Sequence, residues 1–388
     1  MFKIQTLNAI SINGLNQFPS EEYEISSDTP HPDAILLRSH NLHGVALPKT
    51  VKVIGRAGAG VNNIPIADMT KLGIPVLNTP GANANAVREI VIAGMLLASR
   101  HLCQAQEYVR NLSGTEAEIE KLVEKNKKQF VGFELLGKTL GIIGLGNVGV
   151  KVANAAIHLG MNVIGFDPTI TVSRAWELSA NVLQAHNIED LLMRADFITF
   201  HVPLTEETQN MIHAAHFNLM KNNITLLNFA RDGIIDNDAL FHALNENKIH
   251  AYISDFPKAT LKNHPRVLSF PHLGASTHEA EENCAIMIAN QVRQFLENGT
   301  ITHSVNFPAI EMQRNSASLR FAIVNMNVPN MVAQISTIFA KAGLNIIGLL
   351  NKSRDDIAYT LIDVNTAVTE AVLKEIAAIK GVIQVRQL

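Results

Sequence analysis

The segment Leu140 to Asp167, LGIIGLGNVGVKVANAAIHLGMNVIGFD, constrains the chain more than any other. An apolar run, Leu140 to Ile143, breaks into Gly144, Gly146 and Gly149, continues with a helical period to about Leu159, and returns as a second apolar run ending at Asp167. That order predicts strand, glycine turn, helix and strand, the repeating unit of a doubly wound parallel sheet. Glycines suit such a turn because it is tight, the backbone approaches a pyrophosphate, and the helix packs near the strand with its N-terminus facing phosphate charge. Asp167 follows Gly144 by 23 residues, near the offset at which an acid meets ribose hydroxyls. A carboxylate there accepts hydrogen bonds from free hydroxyls and repels a 2′-phosphate, so the expected cofactor is NAD rather than NADP. The glycines alone fit any tight turn of a doubly wound sheet; strand, helix and acid together carry the dinucleotide reading.

Bulk properties narrow the rest. With 388 residues, 47% of them hydrophobic, and a net charge of −3, the chain reads as a globular protein of two or three domains. No block of Lys and Arg suggests nucleic acid or an anionic membrane, and the densest basic spot, Lys125 to Lys128, reads as a solvated helix face. Cys103 and Cys284 both fall in apolar helical patterns, which argues against a disulfide framework and for a reducing compartment. Neither a leader-like start nor an apolar run near the roughly 18 residues of a membrane span is present, so a cytoplasmic enzyme with no membrane partner is expected.

Residues 1–82 read as a small α/β unit, with apolar runs at Ala34 to Leu37, Val51 to Ile54 and Val76 to Leu77. Arg38 and Ser39 follow the first run, and Arg56, Gly58, Ala59 and Gly60 the second. Asn63 stands where a third dinucleotide glycine belongs, so this turn suits a carboxylate held by backbone N–H groups instead. Asn83 to Arg110 predicts one long helix, apolar enough in its middle to be covered twice, by its own domain and by a partner subunit. Glu107 to Leu136 reads as a polar surface connection.

Beyond Asp167, apolar runs at Phe197 to Phe200, Ile224 to Leu227, Ala251 to Ile253 and Val267 to Phe270 alternate with helical stretches, which predicts a parallel sheet. Behind these runs come His201 and Pro203; Asn228, Ala230 and Arg231; Asp255; then Pro271, His272 and Gly274. In an open parallel sheet all such strand ends lie on one edge, where ligands bind. Ser276 to Leu296 is predicted helical, its Ser276 to Glu279 opening fitting a capping box. Pro308 to Ser318 reads as a linker, and 319–388 as β-α-β-β-α-β, a ferredoxin-like module.

Hydride transfer from a 2-hydroxy acid needs a base for the hydroxyl proton and a cation for the carboxylate. His272 and Arg231 are the candidates, since imidazole can take and return a proton and a guanidinium holds a carboxylate through two parallel hydrogen bonds. The bland alternatives are an ion pair of Arg231 with Asp232 or Asp236, and a turn histidine satisfied by backbone.

RAGAGVNNIP, GANANAVREIVIAGML, GKTLGIIGLGNVG, ADFITFHVPLTEETQNMI, LNFARDGIID and FPHLGASTHEAEEN together resemble successive signatures of the D-isomer-specific 2-hydroxyacid dehydrogenases. The resemblance covers the whole chain and is nearest to the members that oxidise 3-phosphoglycerate at the entry to serine biosynthesis. It implies a flavodoxin-like substrate domain, 1–82 with 276–310, a Rossmann NAD domain inserted at 83–275, and assembly as a homodimer or homotetramer. It further implies Arg231 on the substrate carboxylate and His272 as acid/base. Asp167 would meet the adenosine ribose, Asp255 the nicotinamide amide, and Asn147 and Val148 the pyrophosphate, with Gly144, Gly146, Gly149, His201, Pro203, Ala230 and Gly274 lining the cofactor. Gly58 to Gly60 and Ser39 would help hold substrate, and Arg38 and Arg56 are candidates for its phosphate, the alternative being solvent-exposed surface arginines. No metal is implied. The family pattern places a glutamate shortly after the Asp255 position to pair with the histidine; DFPKATLKNHP holds none, so either another carboxylate substitutes or His272 works without one.

The 319–388 module resembles an ACT domain, through NMNVPNMVAQISTIFAKAGLNI. Serine-binding members carry His-x-Asn-x-Pro-Gly and a later asparagine; here Asn327 and Asn345 match, while Asn325 replaces the histidine and Asn330 the glycine. L-serine is thus an expected effector, the alternative being a dimerisation module that has lost its effector. The same chemistry on glyoxylate, hydroxypyruvate or 2-oxoglutarate, and a non-catalytic NAD-sensing protein like the family's corepressors, are the competing readings.

Overall fold

A computed structural model describes residues 1–314 and 318–388, which form two compact units, 1–83 with 278–388 and 84–277. The predicted linker 308–318 falls partly on residues 315–317, outside the described residues.

The first unit opens with five strands, β1 (Phe2–Leu7), β2 (Tyr23–Ser26), β3 (Ala34–Leu37), β4 (Val53–Arg56) and β5 (Val76–Leu77), parallel throughout in the order β2-β1-β3-β4-β5. The central β3 is buried along its length, which is why its sequence is continuously apolar, whereas β1 buries only Ile4 and so gave no clear run. Helix His278–Asn298 lays Ile288, Val292, Phe295 and Leu296 into the same core as Leu36 and Val53. It begins two residues later than predicted, so Glu279 is its second residue and the expected Ser276 to Glu279 capping box does not form; the Ser276 hydroxyl instead approaches the His272 carbonyl, at 3.5 Å.

The second unit carries seven parallel strands, β6 (Thr139–Ile143), β7 (Asn162–Phe166), β8 (Val182–Gln184), β9 (Phe197–Phe200), β10 (Ile224–Asn228), β11 (Ile249–Ser254) and β12 (Val267–Ser269). Their order is β12-β11-β10-β9-β6-β7-β8, with helices between them. The long helix predicted for Asn83 to Arg110 is two, Ala84–Arg100 and Leu102–Arg110, separated by His101 in the left-handed conformation at φ 51°. The His101 ring packs edge-on against His250, centroids 5.4 Å apart, at the break. The expected surface connection contains a helix, Glu116–Asn126, whose capping box joins Thr115 and Glu118.

The C-terminal part of the first unit is antiparallel: β13 (Leu319–Met326), β14 (Ile346–Arg354), β15 (Ile357–Val364) and β16 (Val382–Gln387), in the order β14-β15-β13-β16. Alternation along β13 splits its side chains between two cores. Phe321 and Ile323 meet Ile335 and Phe339 of helix Met331–Lys341, while Ala322 and Val324 join the cluster of Phe295 and Phe307 on the first sheet's side. Arg320 is fully buried at this seam and uses all five of its donors. It grips both Asp363 oxygens, at 2.7 and 2.8 Å, and the carbonyls of Asn298, Met312 and Gln313, at 3.2, 2.7 and 3.0 Å.

Candidate active site

Because the seven strands are parallel, their C-terminal ends share one rim. Across it stand His272 beyond β12, Asp255 beyond β11, Arg231 beyond β10, His201 beyond β9, the glycine turn beyond β6 and Asp167 beyond β7. The chain reverses its winding between neighbours β6 and β9, the switch point where such sheets open a ligand crevice. Arg231 and His272 follow strands two places apart in the sheet, β10 and β12, whose ends lie about 10 Å from each other at ordinary strand spacing.

The glycine turn is built by close packing. Gly144 has φ +94°, and a Cβ there would lie 2.6 Å from the His201 carbonyl oxygen; one at Gly149 would lie 2.0 Å from the Gly144 oxygen. At Gly146 no atom stands within 4 Å of that position, so the middle glycine faces open space at the start of helix Asn147–His158. The N–H groups of that first turn, from Asn147, Val148 and Gly149, have no intrahelical acceptor and suit an anion. Asp167 is tied to the turn: one oxygen accepts from the Leu145 amide at 2.8 Å and the other from the Thr169 amide at 2.9 Å.

On the other side of the switch point, His201 shares a 3.1 Å hydrogen bond with Thr199, and desolvation pushes its pKa down to about 3, so its ring is neutral near pH 7. Pro203, exposed beside it, accepts from Thr208. Buried Asn228 shapes the next turn, accepting from the Ala230 amide and donating to the Arg231 carbonyl. The two acids that sequence proximity offered to Arg231 are engaged elsewhere: Asp232 with Lys258 at 2.6 Å, and Asp236 with the Ala239 amide at 2.8 Å. Arg231 donates to the Ala230 carbonyl at 2.6 Å and pairs with no carboxylate among the described residues.

Asp255 is 1% exposed. Its Oδ2 accepts from the Gly274 amide at 3.0 Å, and its Oδ1 is buried without a partner among the described residues. Burial pushes this carboxyl above the usual range, while the Gly274 amide and the His272 imidazole draw it down. His272 itself is exposed and lies edge-on to Phe256, centroids 5.0 Å apart. Asp255 is therefore one carboxylate in electrostatic reach of His272, at the place where sequence showed none downstream.

On the smaller sheet, β3 and β4 are neighbours and bring Arg38, Ser39 and Arg56 to one edge. Arg56 Nε donates to the Arg38 carbonyl at 3.1 Å, and Asn63 clamps the Arg38 and His40 carbonyls at 3.2 and 2.6 Å, which is what that residue does in place of a third glycine. Arg38, read from sequence as an open cation for phosphate, meets Glu281 at 2.5 Å. Glu281 escaped notice because nothing in local spacing connects it to Arg38. The turn at Gly58, Ala59 and Gly60 is held through the Gly58 carbonyl by the Thr79 amide and through the Ala59 carbonyl by the Asn78 side chain.

In the C-terminal module, Asn330 adopts φ +70°, the left-handed conformation a glycine supplies at that motif position and asparagine tolerates. Asn327 donates to the Asp355 carbonyl. It precedes helix Met331–Lys341 and Asn345 follows it, so about 16 Å of helix separates the two asparagines within one chain.

Asp255 Oδ1, buried and unpartnered, and the open face of Gly146 both fit a bound dinucleotide, the first by offering an acceptor to a carboxamide and the second by admitting a diphosphate. The comparisons agree. Residues 92–280 match the NAD binding domain of the D-isomer specific 2-hydroxyacid dehydrogenases. A D-3-phosphoglycerate dehydrogenase of Methanocaldococcus jannaschii is 38% identical over 74% of this chain and 53% of its own length. One of Haemophilus influenzae is 31% identical over 88% of this chain and 82% of its own length. The NAD+-bound 3-phosphoglycerate dehydrogenase structure from Entamoeba histolytica aligns with a TM-score of 0.60 at 27% identity, covering 79% of this chain and 98% of that one. The chain spans about half the length of several of the curated relatives it matches. By fold, rim and relatives, the chain belongs to the D-isomer-specific 2-hydroxyacid dehydrogenases.

Proposed function

We infer that the protein oxidises 3-phospho-D-glycerate to 3-phosphohydroxypyruvate with NAD, the first step towards L-serine. The observation that carries the reading is Arg231, a guanidinium on the ligand-binding rim with no carboxylate partner among the described residues, in a chain whose relatives bear that activity in their names. NAD, when bound, supplies the hydride acceptor. Arg231 holds the substrate carboxylate in its planar fork and polarises the carbon that becomes a carbonyl. His272 takes the hydroxyl proton on a ring nitrogen, and Asp255 stabilises the imidazolium that results. Asp167 receives ribose hydroxyls, and helix Asn147–His158 directs its N-terminal amides at the diphosphate. Arg38 and Arg56 receive the substrate phosphate, with Glu281 yielding Arg38 to it.

Exposed Leu96, Leu102 and Val109 support a homo-oligomer covering the helices after Asn83, and the ferredoxin-like module supports L-serine as an effector shared between paired copies. Two free cysteines suit the cytoplasm. No helix among the described residues is long and apolar enough to cross a membrane.

The test is NADH oxidation with phosphohydroxypyruvate, the favourable direction, beside NADH formation with 3-phosphoglycerate. Turnover with both supports the reading. Oxidation of NADH by glyoxylate or 2-oxoglutarate alone moves the substrate, and no turnover with any of these overturns the enzymatic assignment. Equilibrium dialysis with labelled serine tests the effector; no saturable binding at millimolar serine ends that part.

A further inference from the structure

Where the β14–β15 end of the C-terminal module meets the loops around Asn78 and His303, the first unit bears an open, solvent-facing cavity of about 470 Å³, with Lys352, Arg354 and His303 exposed at its mouth. Its wall carries Lys352, Arg354 and His303 and no acidic side chain. Arg354 is aimed by a 2.8 Å hydrogen bond to the Ser304 carbonyl. The nearby acid, Asp355, is 3.9 Å from the Arg354 Nε with its side chain 91% exposed, too solvated to cancel the charge. Lys352 has neither an ion pair nor a side-chain hydrogen bond among the described residues. Ser353 and Thr302 add hydroxyls to the same wall.

Asn78, just beyond β5, belongs to the same lining and also holds the Gly58 to Gly60 turn. The Asn78 amide donates to the His303 carbonyl at 3.2 Å, and the Asn78 side chain donates to the Ala59 carbonyl at 2.7 Å. The next amide, of Thr79, donates to the Gly58 carbonyl at 3.1 Å. One residue thus lines the cavity and fixes the turn.

We propose that this cavity binds a compact dianion, a phosphate or a small dicarboxylate, and that its occupancy shifts the Gly58 to Gly60 turn through Asn78. The coupling half rests on the substrate role inferred for that turn; the binding half does not. Lys352 and Arg354 on one dianion give charge-assisted hydrogen bonds of the kind lysine and arginine make to phosphate, and a ligand that also takes a hydrogen bond from His303 pulls the His303 loop against Asn78.

Isothermal titration of the full-length protein with inorganic phosphate, and separately with malonate, at matched ionic strength tests the binding and tells the two ligand sources apart. The expected result is saturable binding of at least one of them, lost about tenfold or more in the K352S/R354S variant, whose melting temperature in chloride matches the parent. The same variant, assayed for turnover, should keep its activity in chloride and lose the shift in substrate KM that the anion causes in the parent. Anion binding unchanged in the variant places it elsewhere and overturns the site. A variant that loses binding but keeps the KM shift overturns the coupling alone, and a protein inactive on every 2-oxo acid tried leaves the titration to decide the site.

Discussion

Two arginines mark opposite uses of the same side chain. Arg320, at the seam of the C-terminal module, is fully buried with every donor engaged, two of them on Asp363 and three on backbone carbonyls. Arg231, on the rim of the seven-stranded sheet, makes one hydrogen bond to its own neighbour's carbonyl while the acids beside it are engaged elsewhere. A satisfied guanidinium fixes architecture; one without a carboxylate partner leaves donors available to a ligand. Asp255 repeats the second pattern with the opposite charge, one oxygen held by Gly274 and the other buried without a partner among the described residues.

The contrast breaks first at Arg320. Arg320→Ala leaves Asp363 buried without its cation and three carbonyls without donors, and should cost about 3–5 kcal/mol in denaturant unfolding. Replacing both partners with apolar residues, Arg320→Met with Asp363→Leu, should recover most of that, because no charge is then stranded. A single variant as stable as the parent would mean that the seam is not held this way. Arg231→Ala should do the reverse. We expect kcat/KM to fall by about 10²–10³-fold or more, with the melting transition and NADH affinity, read by fluorescence titration, little changed. Loss of stability instead would make Arg231 a structural residue like Arg320.

Asp255→Asn separates function from stability within one side chain. Burial raises the Asp255 carboxyl above its unfolded value, so the folded state binds that proton more tightly than the unfolded chain does. Its favourable contribution is full below the ordinary carboxylate range and is lost as pH rises through the raised folded value. Removing the charge should therefore stabilise the protein at pH 7, with the gain shrinking as pH falls through the raised folded value and gone below the ordinary carboxylate range. Turnover should fall about ten- to hundredfold, the scale of a lost charge-assisted interaction. Unfolding at pH 7 and near pH 4, with steady-state kinetics, checks both halves; a variant less stable at pH 7 would show that the buried charge is satisfied after all.

How much of this was legible depended on whether an element announces itself locally. Strands β9, β10 and β11 stand out as apolar runs because both faces are buried, and their polar followers read directly as rim residues. Strands β1, β2 and β8 lie at or near sheet edges with mixed burial and gave no such run. The break at His101 carries neither glycine nor proline, so periodicity ran straight through it. Asn330 was visible as a departure from the serine-binding motif, but only its φ shows that it keeps the backbone a glycine would supply. The Arg320–Asp363 pair depends on the register of β13 with β15, and Glu281 on the packing of a helix distant in sequence from Arg38. Rim chemistry was local and readable; charge compensation was tertiary and was not.

Arg38 lies between the two extremes, and it gives the smallest effect. Its pair with Glu281 is 2.5 Å long, with the side chains 31% and 47% exposed, so solvent screens it and it is worth about 0.2–1 kcal/mol. If Arg38 receives the substrate phosphate, that phosphate competes with Glu281 for the same guanidinium, and the ion pair weakens binding by its own small strength. Glu281→Gln should then lower KM for 3-phosphoglycerate by about 1.4- to fivefold at low salt, the kinetic equivalent of that energy, with kcat unchanged. The gain should shrink as ionic strength rises, because screening weakens the competing pair in the parent. An unphosphorylated 2-oxo acid should show no change in KM. A raised KM would mean instead that Glu281 holds Arg38 in place for the ligand, so that the pair belongs with the satisfied seam rather than with the open rim.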